Sequence, residues 1–508
     1  MLSKAINFYN QGQLEKALTI LENLTNNKNV NIDELNFYAA LLFETNDFDK
    51  AISIITKAIL INPKNIILLN NRAQFYFKYR RYDESLKDLN SILKLNPTHA
   101  ESFNNIGRIY LRKNDFIKAT LNFDQAIKLN QSKYYYFYNK GNALFQMHNF
   151  EDAINAYNES IKLKPDHYKS YHNRGLSLQE LLRLDEAMTD FELSIKHSEN
   201  FYEPHLAKAY LHLIRGEFKE GWKLHEYRWA SDTFSEYLPK NQKSKLWLGQ
   251  ESLEDKTILL FSEQGLGDTI QFSRYIEKFK KFNCKAIILV QKPLLNLIKT
   301  IEPSFNFITE EVDLHYDYHC PLMSLPLAFK TMVETIPRNV PYLKISSDHI
   351  NKFKDRLSSV NKLKIGIAWR GNPNHRNDYK RSIDLSIISG LFDERYHWVI
   401  LHNDLNKNEE KILSKKSISY FKDINFLELS GICENLDFII SVDTSIAHLC
   451  GALGKKVLLL LPYFCDFRWL LDKDKTDWYP TMKIFRNTNP QNWNKIFFQA
   501  LEYIKNSN

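Results

Sequence analysis

The stretch Ser441-Val442-Asp443-Thr444-Ser445-Ile446-Ala447-His448-Leu449 decides how the carboxyl half of this chain reads. It follows the apolar run 436–440, which has the length and composition of a buried parallel strand. It precedes Leu449 to Leu453, small and apolar residues that read as a helix stopped near Gly454. A strand thus gives way to a helix at a cluster of Asp, Thr and Ser. Their side-chain oxygens accept the free N–H groups of a first helical turn. The same turn leaves other N–H groups and the positive dipole end to hold an anion, so a phosphate-bearing ligand is expected there. A second turn of this kind lies upstream, Glu263-Gln264-Gly265-Leu266-Gly267-Asp268-Thr269.

Between and around these turns, strands alternate with helices. Strands are expected at 256–261, 285–290, 305–308, 318–321, 363–369, 398–401, 436–442 and 456–461. Helices are expected at 269–282, 293–301, 383–391, 409–413 and 493–504. This predicts two doubly wound α/β units in tandem, one over 256–345 and one over 346–508. Ligands of such sheets bind at the carboxyl ends of strands and, in tandem units, in the cleft between them. The polar stretch 231–255, with Pro239, Lys240, Lys243 and Lys245, reads as a linker anchored by Leu246-Trp247-Leu248.

Residues 1–230 are periodic instead. Gly107, Gly141 and Gly175 step by 34, as do Ala17, Ala51, Ser85, Ala119, Ala153 and Ala187, and Pro63, Pro97 and Pro165 keep the same phase. These offsets match the tetratricopeptide pattern. A small residue lets two helices cross closely, a large one fills the next groove (Phe123, Tyr157, Phe191), and proline stops the second helix. About seven units are expected. The last is degenerate, with Gly221 in place of the second Ala and Trp222 and Trp229 beside it, as a unit that packs on another domain or caps a stack would be.

The length of 508 residues calls for two to four domains. Charged residues are 25% of the chain, which excludes a mainly disordered or membrane class. The net charge, 68 − 60 = +8, is spread without a dense basic block, so a nucleic-acid partner is not expected. No apolar run reaches the length of a membrane span, and Met1 to Leu21 has helical spacing in place of a signal-peptide core. The five cysteines, Cys284, Cys320, Cys433, Cys450 and Cys465, include no CxxC pair, which argues against a disulfide framework or zinc ribbon and for a reducing cytoplasm.

Several side chains could carry chemistry. The turn Gly265-Leu266-Gly267 has Ile270 where a dinucleotide fingerprint needs its third glycine, which disfavours a nicotinamide enzyme. Asp268 fits two roles, a base that takes a proton from an acceptor hydroxyl or a helix cap. Arg376, Lys380 and Arg381 lie together in the loop after the 363–369 strand, where they clamp phosphate oxygens or form a solvated basic loop. His448 either donates to a phosphate or leaving group, or simply packs. Asp472-Lys473-Asp474 has the DxD form of metal-bound nucleotide sugars but sits in a polar segment away from a strand end, so it reads as surface charge. His315, His319 and Cys320 lack zinc spacing, and no metal is expected.

Taken together these features form a known combination. The repeats resemble tetratricopeptide arrays. The carboxyl half resembles the GT-B glycosyltransferases of two Rossmann-like units, specifically the ADP-heptose:lipopolysaccharide heptosyltransferase-like group (glycosyltransferase family 9-like), as found in bacterial proteins that join the two. The motifs that carry the resemblance are residues 263–272, Trp369-Arg370-Gly371-Asn372-Pro373, residues 441–449, Phe467-Arg468-Trp469-Leu470-Leu471 and Trp478-Tyr479-Pro480. The resemblance implies inverting, metal-independent transfer of a sugar from a nucleotide-sugar donor to a protein or glycan, with no other cofactor. It implies Asp268 as base. It implies donor binding by Gly265, Gly267, Asp443, Thr444, Ser445 and His448, and by Lys380 or Arg381. Two departures stand out. The 256–343 unit is short, so the repeat array is expected to supply acceptor surface by holding a protein or peptide in its groove. The loop reads Tyr379-Lys380-Arg381-Ser382, without the Trp-Pro usual after the basic pair. The alternative is a scaffold whose α/β half binds a nucleotide sugar without turning it over.

Overall fold

The computed structural model describes the whole chain except residues 1, 26–30, 232–233, 235–236, 238, 240–243, 312–313, 359–360, 376–377, 415–417, 488–491 and 508. Arg376 of the basic loop and Lys240 and Lys243 of the expected linker therefore lie outside the described residues. The chain forms two compact units, Met1–Asn200 and Phe201–Asn508.

The first unit is a run of helical hairpins, from Leu2–Asn10 with Leu14–Thr25 to Tyr168–Glu180 with Leu184–His197. The period of 34 is written into the backbone. Gly12, Asn46, Arg80, Asn114, His148 and Leu182 all have positive φ at the tight turn of their hairpins, and Gly216 continues the series in the second unit. Close crossing explains the glycines. A Cβ on Gly107 would lie 2.7 Å from Phe123 Cε1, on Gly141 2.5 Å from Tyr157 Cε1, and on Gly175 2.6 Å from Phe191 Cε1. No carbon fits there, so the aromatic ring of the second helix lies directly on the backbone of the first. Neighbouring hairpins are stitched by amides. Asn71 Nδ2 donates to Asn36 Oδ1 (2.9 Å), Asn105 Nδ2 to Asn70 Oδ1 (3.3 Å) and Asn139 Nδ2 to Asn104 Oδ1 (2.9 Å).

The second unit begins with the degenerate hairpin, Glu203–Ile214 and Phe218–His225. Its bulky residues are core residues of the α/β region. Trp222 is 2% exposed and meets Phe272, Phe467 and Trp478 edge-on. Two parallel sheets follow. The first takes strands β1 (Lys245–Leu246), β2 (Thr257–Phe261), β3 (Lys285–Leu289), β4 (Asn306–Ile308) and β5 (Tyr318–Pro321) in the order β1-β5-β2-β3-β4. The second takes β6 (Lys364–Ala368), β7 (His397–Ile400), β8 (Ile418–Tyr420), β9 (Phe438–Val442), β10 (Val457–Leu461) and β11 (Met482–Arg486) in the order β11-β10-β9-β6-β7-β8. The inner strands of the second sheet are mostly apolar and, apart from Lys364, buried along their length, as a parallel sheet covered by helices requires.

Three elements differ from the sequence reading. The helix expected over 269–282 begins at Leu266 and, after Phe272, tightens to a 3₁₀ helix over Ser273–Lys281. The expected linker contributes a strand, with Lys245 and Leu246 pairing with Tyr318 and His319, while Trp247 is buried beside them. The helix after Val442 starts at Ser445, not Leu449, because Thr444 caps it, accepting from Ile446 N–H (3.3 Å).

The order of strands defines two switch points. In the first sheet the chain runs β2-β3-β4 to one side and returns to place β5 on the other. In the second it runs β6-β7-β8 and returns to β9. At such reversals the connections leave in opposite directions and open a crevice at the carboxyl ends. The turns after β2, β6 and β9 are the three motifs singled out above.

Candidate functional site

The carboxyl ends of the two sheets meet at the turns after β2 and β9. Gly267 lies so close to the helix Ser445–Ala452 that a Cβ on it would be 2.8 Å from His448 Cδ2. The turns are thus in direct contact at this point, and the side chains around the contact form the site.

Asp268 sits in the first turn of Leu266–Phe272. One carboxylate oxygen, Oδ2, reaches back to accept Gly265 N–H (2.9 Å). The other accepts from Arg468 Nη2. Asp268 is therefore a cap and a charge partner at once, with its side chain 19% exposed. Burial pushes its carboxyl above the usual range. The Arg468 charge opposes the rise and the Asp466 charge adds to it.

Arg468 is the hub. It follows β10 in the turn Phe467–Trp469 and donates Nη1 to Asp466 Oδ1 (2.6 Å) as well as Nη2 to Asp268. Its guanidinium also lies over the rings of Phe467 and Phe272. Asp443, at the end of β9, completes a group of three carboxylates. Burial first, then the Asp466 charge, push its carboxyl up to about 6, against the attraction of Arg381 and Arg468. Asp466 stands outside every motif of the sequence, and Arg468 enters only within Phe467-Arg468-Trp469-Leu470-Leu471, with no role of its own. Their signal, an acid and an arginine two residues apart just past an apolar strand, becomes meaningful only once β10 is placed beside β9.

The remaining expected residues are distributed as follows. His448 is buried, stacked on Trp469 at 5.3 Å between ring centres, with Nδ1 3.0 Å from Tyr479 Oη. Burial and three arginines hold its imidazole well below its ordinary range, so it is neutral. Its Nε2 is 3.8 Å from Asp443 Oδ1, beyond hydrogen-bond reach. Thr444 is the helix cap and Ser445 the first helical residue. Arg381 Nε donates to Asp378 Oδ1 (3.2 Å), and its charge acts on Asp443, His448 and His375. Lys380 Nζ lies 5.9 Å over the ring of Phe464, in the loop that leads to Asp466. The basic loop thus meets the same cluster from the β6 side. Asp472 and Asp474 are exposed, and Lys483 pairs with Asp474. Among the described residues no group of three His, Cys, Asp or Glu side chains could hold a metal ion.

A buried arginine pins the two sheets at this closeness. Arg274 donates to the carbonyls of Pro337 (3.1 Å) and Trp478 (2.6 Å) and to Tyr342 Oη (3.3 Å), with its face against Tyr479. A separate surface groove of about 680 Å³, lined by Ile387, Leu391, Lys495 and Phe498, lies between the 385–391 segment and the last helix. It gathers none of the charged groups described above.

Comparison with known proteins identifies the repeats. Residues 134–167 match one tetratricopeptide repeat family and residues 35–65 and 100–133 another. The chain is 20% identical to protein FlbA of Caulobacter vibrioides over 316 residues, 55% of this chain and 51% of FlbA, so the match spans about half the length of that protein. Among solved structures it is similar to a tetratricopeptide repeat protein from Parabacteroides merdae (20% identity, TM-score 0.39, covering 47% of this chain and 93% of that one). It is likewise similar to the type IV pilus biogenesis factor PilW (20% identity, TM-score 0.37, 40% and 95%). The family matches make the amino-terminal helices a tetratricopeptide array, which suggests a protein-interaction scaffold. No described helix is long and apolar enough to cross a membrane.

Proposed function

We propose that the second unit is a GT-B glycosyltransferase that uses a nucleotide-sugar donor, and that the repeat array holds a protein or peptide partner that brings or is the acceptor. The observation that carries this reading is the convergence of Asp268, Asp443 and Asp466 on Arg468 at the carboxyl ends of two parallel sheets. The Lys380-Arg381 loop enters from the switch point of the second sheet.

The chemistry follows from those groups. The N-terminus of Ser445–Ala452 and the cations of Arg381 and Lys380 are suited to a diphosphate. An acceptor hydroxyl takes the place of Arg468 at Asp268 Oδ1. Its proton passes to that carboxylate, its oxygen bonds to the anomeric carbon, and the bond from that carbon to the diphosphate breaks. Burial, which raises the Asp268 carboxyl, makes it the better base. Arg468, released from Asp268 and still held by Asp466, can turn its charge toward the departing diphosphate.

A panel of UDP, GDP, ADP and CMP sugars tests this, first by melting temperature and then by product mass. One donor is expected to raise the melting temperature and to release nucleoside diphosphate, and Asp268→Asn is expected to stop release. Undiminished turnover by Asp268→Asn would refute the base assignment. A second reading, a scaffold that binds a nucleotide sugar without consuming it, is favoured by the contact of Gly267 with His448, which leaves the turns touching. Binding without release under all conditions would establish it.

A further inference from the structure

The first sheet has a switch point of its own, between β2 and β5, and it is filled from within. The filling group is Arg228, from the short 3₁₀ turn Glu226–Ala230 that follows the degenerate hairpin. Arg228 is 1% exposed. Its Nε and Nη2 form a two-pronged pair with Glu263 (2.9 and 3.1 Å), the residue that opens the Asp268 turn. Nη2 also donates to Ser324 Oγ (2.7 Å), just past β5, and Nη1 to Glu226 Oε1 (2.7 Å). Met323 N–H donates to Glu263 from the same side (3.2 Å).

Ion pairs this deep are a poor way to gain stability. Desolvating both charges offsets most of their attraction, and apolar residues of like volume serve as well or better. What a planar guanidinium supplies is direction, because its fork fixes the plane of the carboxylate it grips. Glu263 is five residues before Asp268. The chain between has one tie to another element, Gln264 O accepting from Gln291 Nε2 (2.8 Å), while Gly265 N–H is held by Asp268 itself and Gly265 O accepts from Thr269 N–H (3.2 Å), both bonds within the turn and its helix. Arg228 is thus the anchor at the start of the turn, and it comes from the segment that ends the repeats.

We infer that Arg228 is a positioning residue for Asp268: through Glu263 it sets where the 263–268 turn stands, so that the turn closing the last repeat hairpin is part of the site. The inference deepens the reading of Asp268 as base and rests on it only for its consequence, since the turn's position can be measured without turnover.

The test compares three full-length proteins, wild type, Arg228→Lys and the double variant Arg228→Met/Glu263→Met, by thermal melting and by hydrogen exchange of peptides spanning 262–269. Arg228→Lys keeps the charge and loses the fork. The double variant removes the pair but keeps apolar volume. The expected result is a double variant that melts within a few degrees of wild type yet exchanges at 262–269 about tenfold faster, the order of one lost hydrogen bond's protection. Arg228→Lys should show faster exchange at the same peptide. Restored protection in the double variant, or unchanged exchange in Arg228→Lys, would overturn the inference by leaving Arg228 as filler. Should the double variant fail to fold, Arg228→Lys decides alone. A protein with no transferase activity but with faster exchange in these variants would uphold the role of Arg228 and refute the function proposed for Asp268.

Discussion

Replacing Asp443 by asparagine tests the electrostatics of the cluster while nearly keeping its shape. Asp443 is 13% exposed, and its burial, reinforced by the charge of Asp466, pushes its carboxyl up to about 6 even with Arg381 and Arg468 nearby. A free aspartate titrates near ~3.9, and each pH unit of displacement corresponds to about 1.4 kcal/mol. The sign follows from proton counting. Between about pH 4 and about pH 6 the folded protein holds the Asp443 proton and the unfolded chain has released it. Stability therefore falls as pH rises through that window and stays lowered above it. At pH 7 the ionised group costs about 3 kcal/mol, and asparagine, which has no charge to desolvate, removes that cost. For a unit of this size the gain corresponds to a rise of about 4 °C in melting temperature. Melting curves of both proteins from pH 4 to pH 8 check it. The offset should vanish near pH 4, grow toward pH 6 and stay level from pH 7 to pH 8. An asparagine variant that melts lower at pH 7, or an offset independent of pH, would refute the reasoning, since either would mean that Asp443 is stabilised as an anion.

Three other outcomes are expected. Asp268→Asn leaves Arg468 with Asp466 alone, and it should abolish sugar transfer with little change in donor-induced melting shift, as measured by product release and melting side by side. Gly267→Ala places a methyl 2.8 Å from His448 Cδ2, and the ring cannot retreat between Trp469 and Tyr479, so a loss of about 1–3 kcal/mol is expected in denaturant unfolding of the second unit, relieved by adding His448→Ala. Gly141→Ala should destabilise the array by a similar amount, about 1–3 kcal/mol, and Tyr157→Leu in the same chain should recover part of it by opening the crossing; helical circular dichroism during urea unfolding reads both.

How far the sequence carried the structure depends on the range of the forces involved. The repeats were legible because one crossing recurs: a glycine facing a ring sixteen positions on leaves a period that no other packing would. The buried strands were legible for a related reason. A run such as Val457–Leu461 is apolar at every position only if both faces of its sheet are covered. Lys245–Leu246 was not legible, because two exposed residues become a strand only when Tyr318 and His319 offer an edge. Nor was Arg468. Its partner Asp268 lies 200 residues away, and the loop that joins them follows from the return of the chain to β10. Asp268 itself shows where local reading stops. Its turn predicted a cap or a base, and the structure gives it one oxygen for Gly265 and the other for Arg468.

The two switch points show why a repeat hairpin and an α/β unit occupy one compact body here. Parallel sheets open a crevice wherever strand order reverses, and an open crevice lined by free backbone groups must be filled by ligand, water or protein. The chain fills the first with Arg228 and Glu226, charges drawn from the end of the hairpin and matched to Glu263 and Ser324. At the second it leaves Arg381 and Asp443 only partly covered. A buried, fully bonded arginine cannot exchange its partners at small cost, whereas partly exposed charges can. The first crevice is therefore committed to holding the Asp268 turn, and the function proposed above assigns ligand chemistry to the second, where Asp268 reaches across through Arg468. On this argument the turn 226–230 that follows the hairpin belongs to the α/β unit for the same reason that the turn at 263–268 does. Each supplies one side of an ion pair that the other cannot leave unpaired.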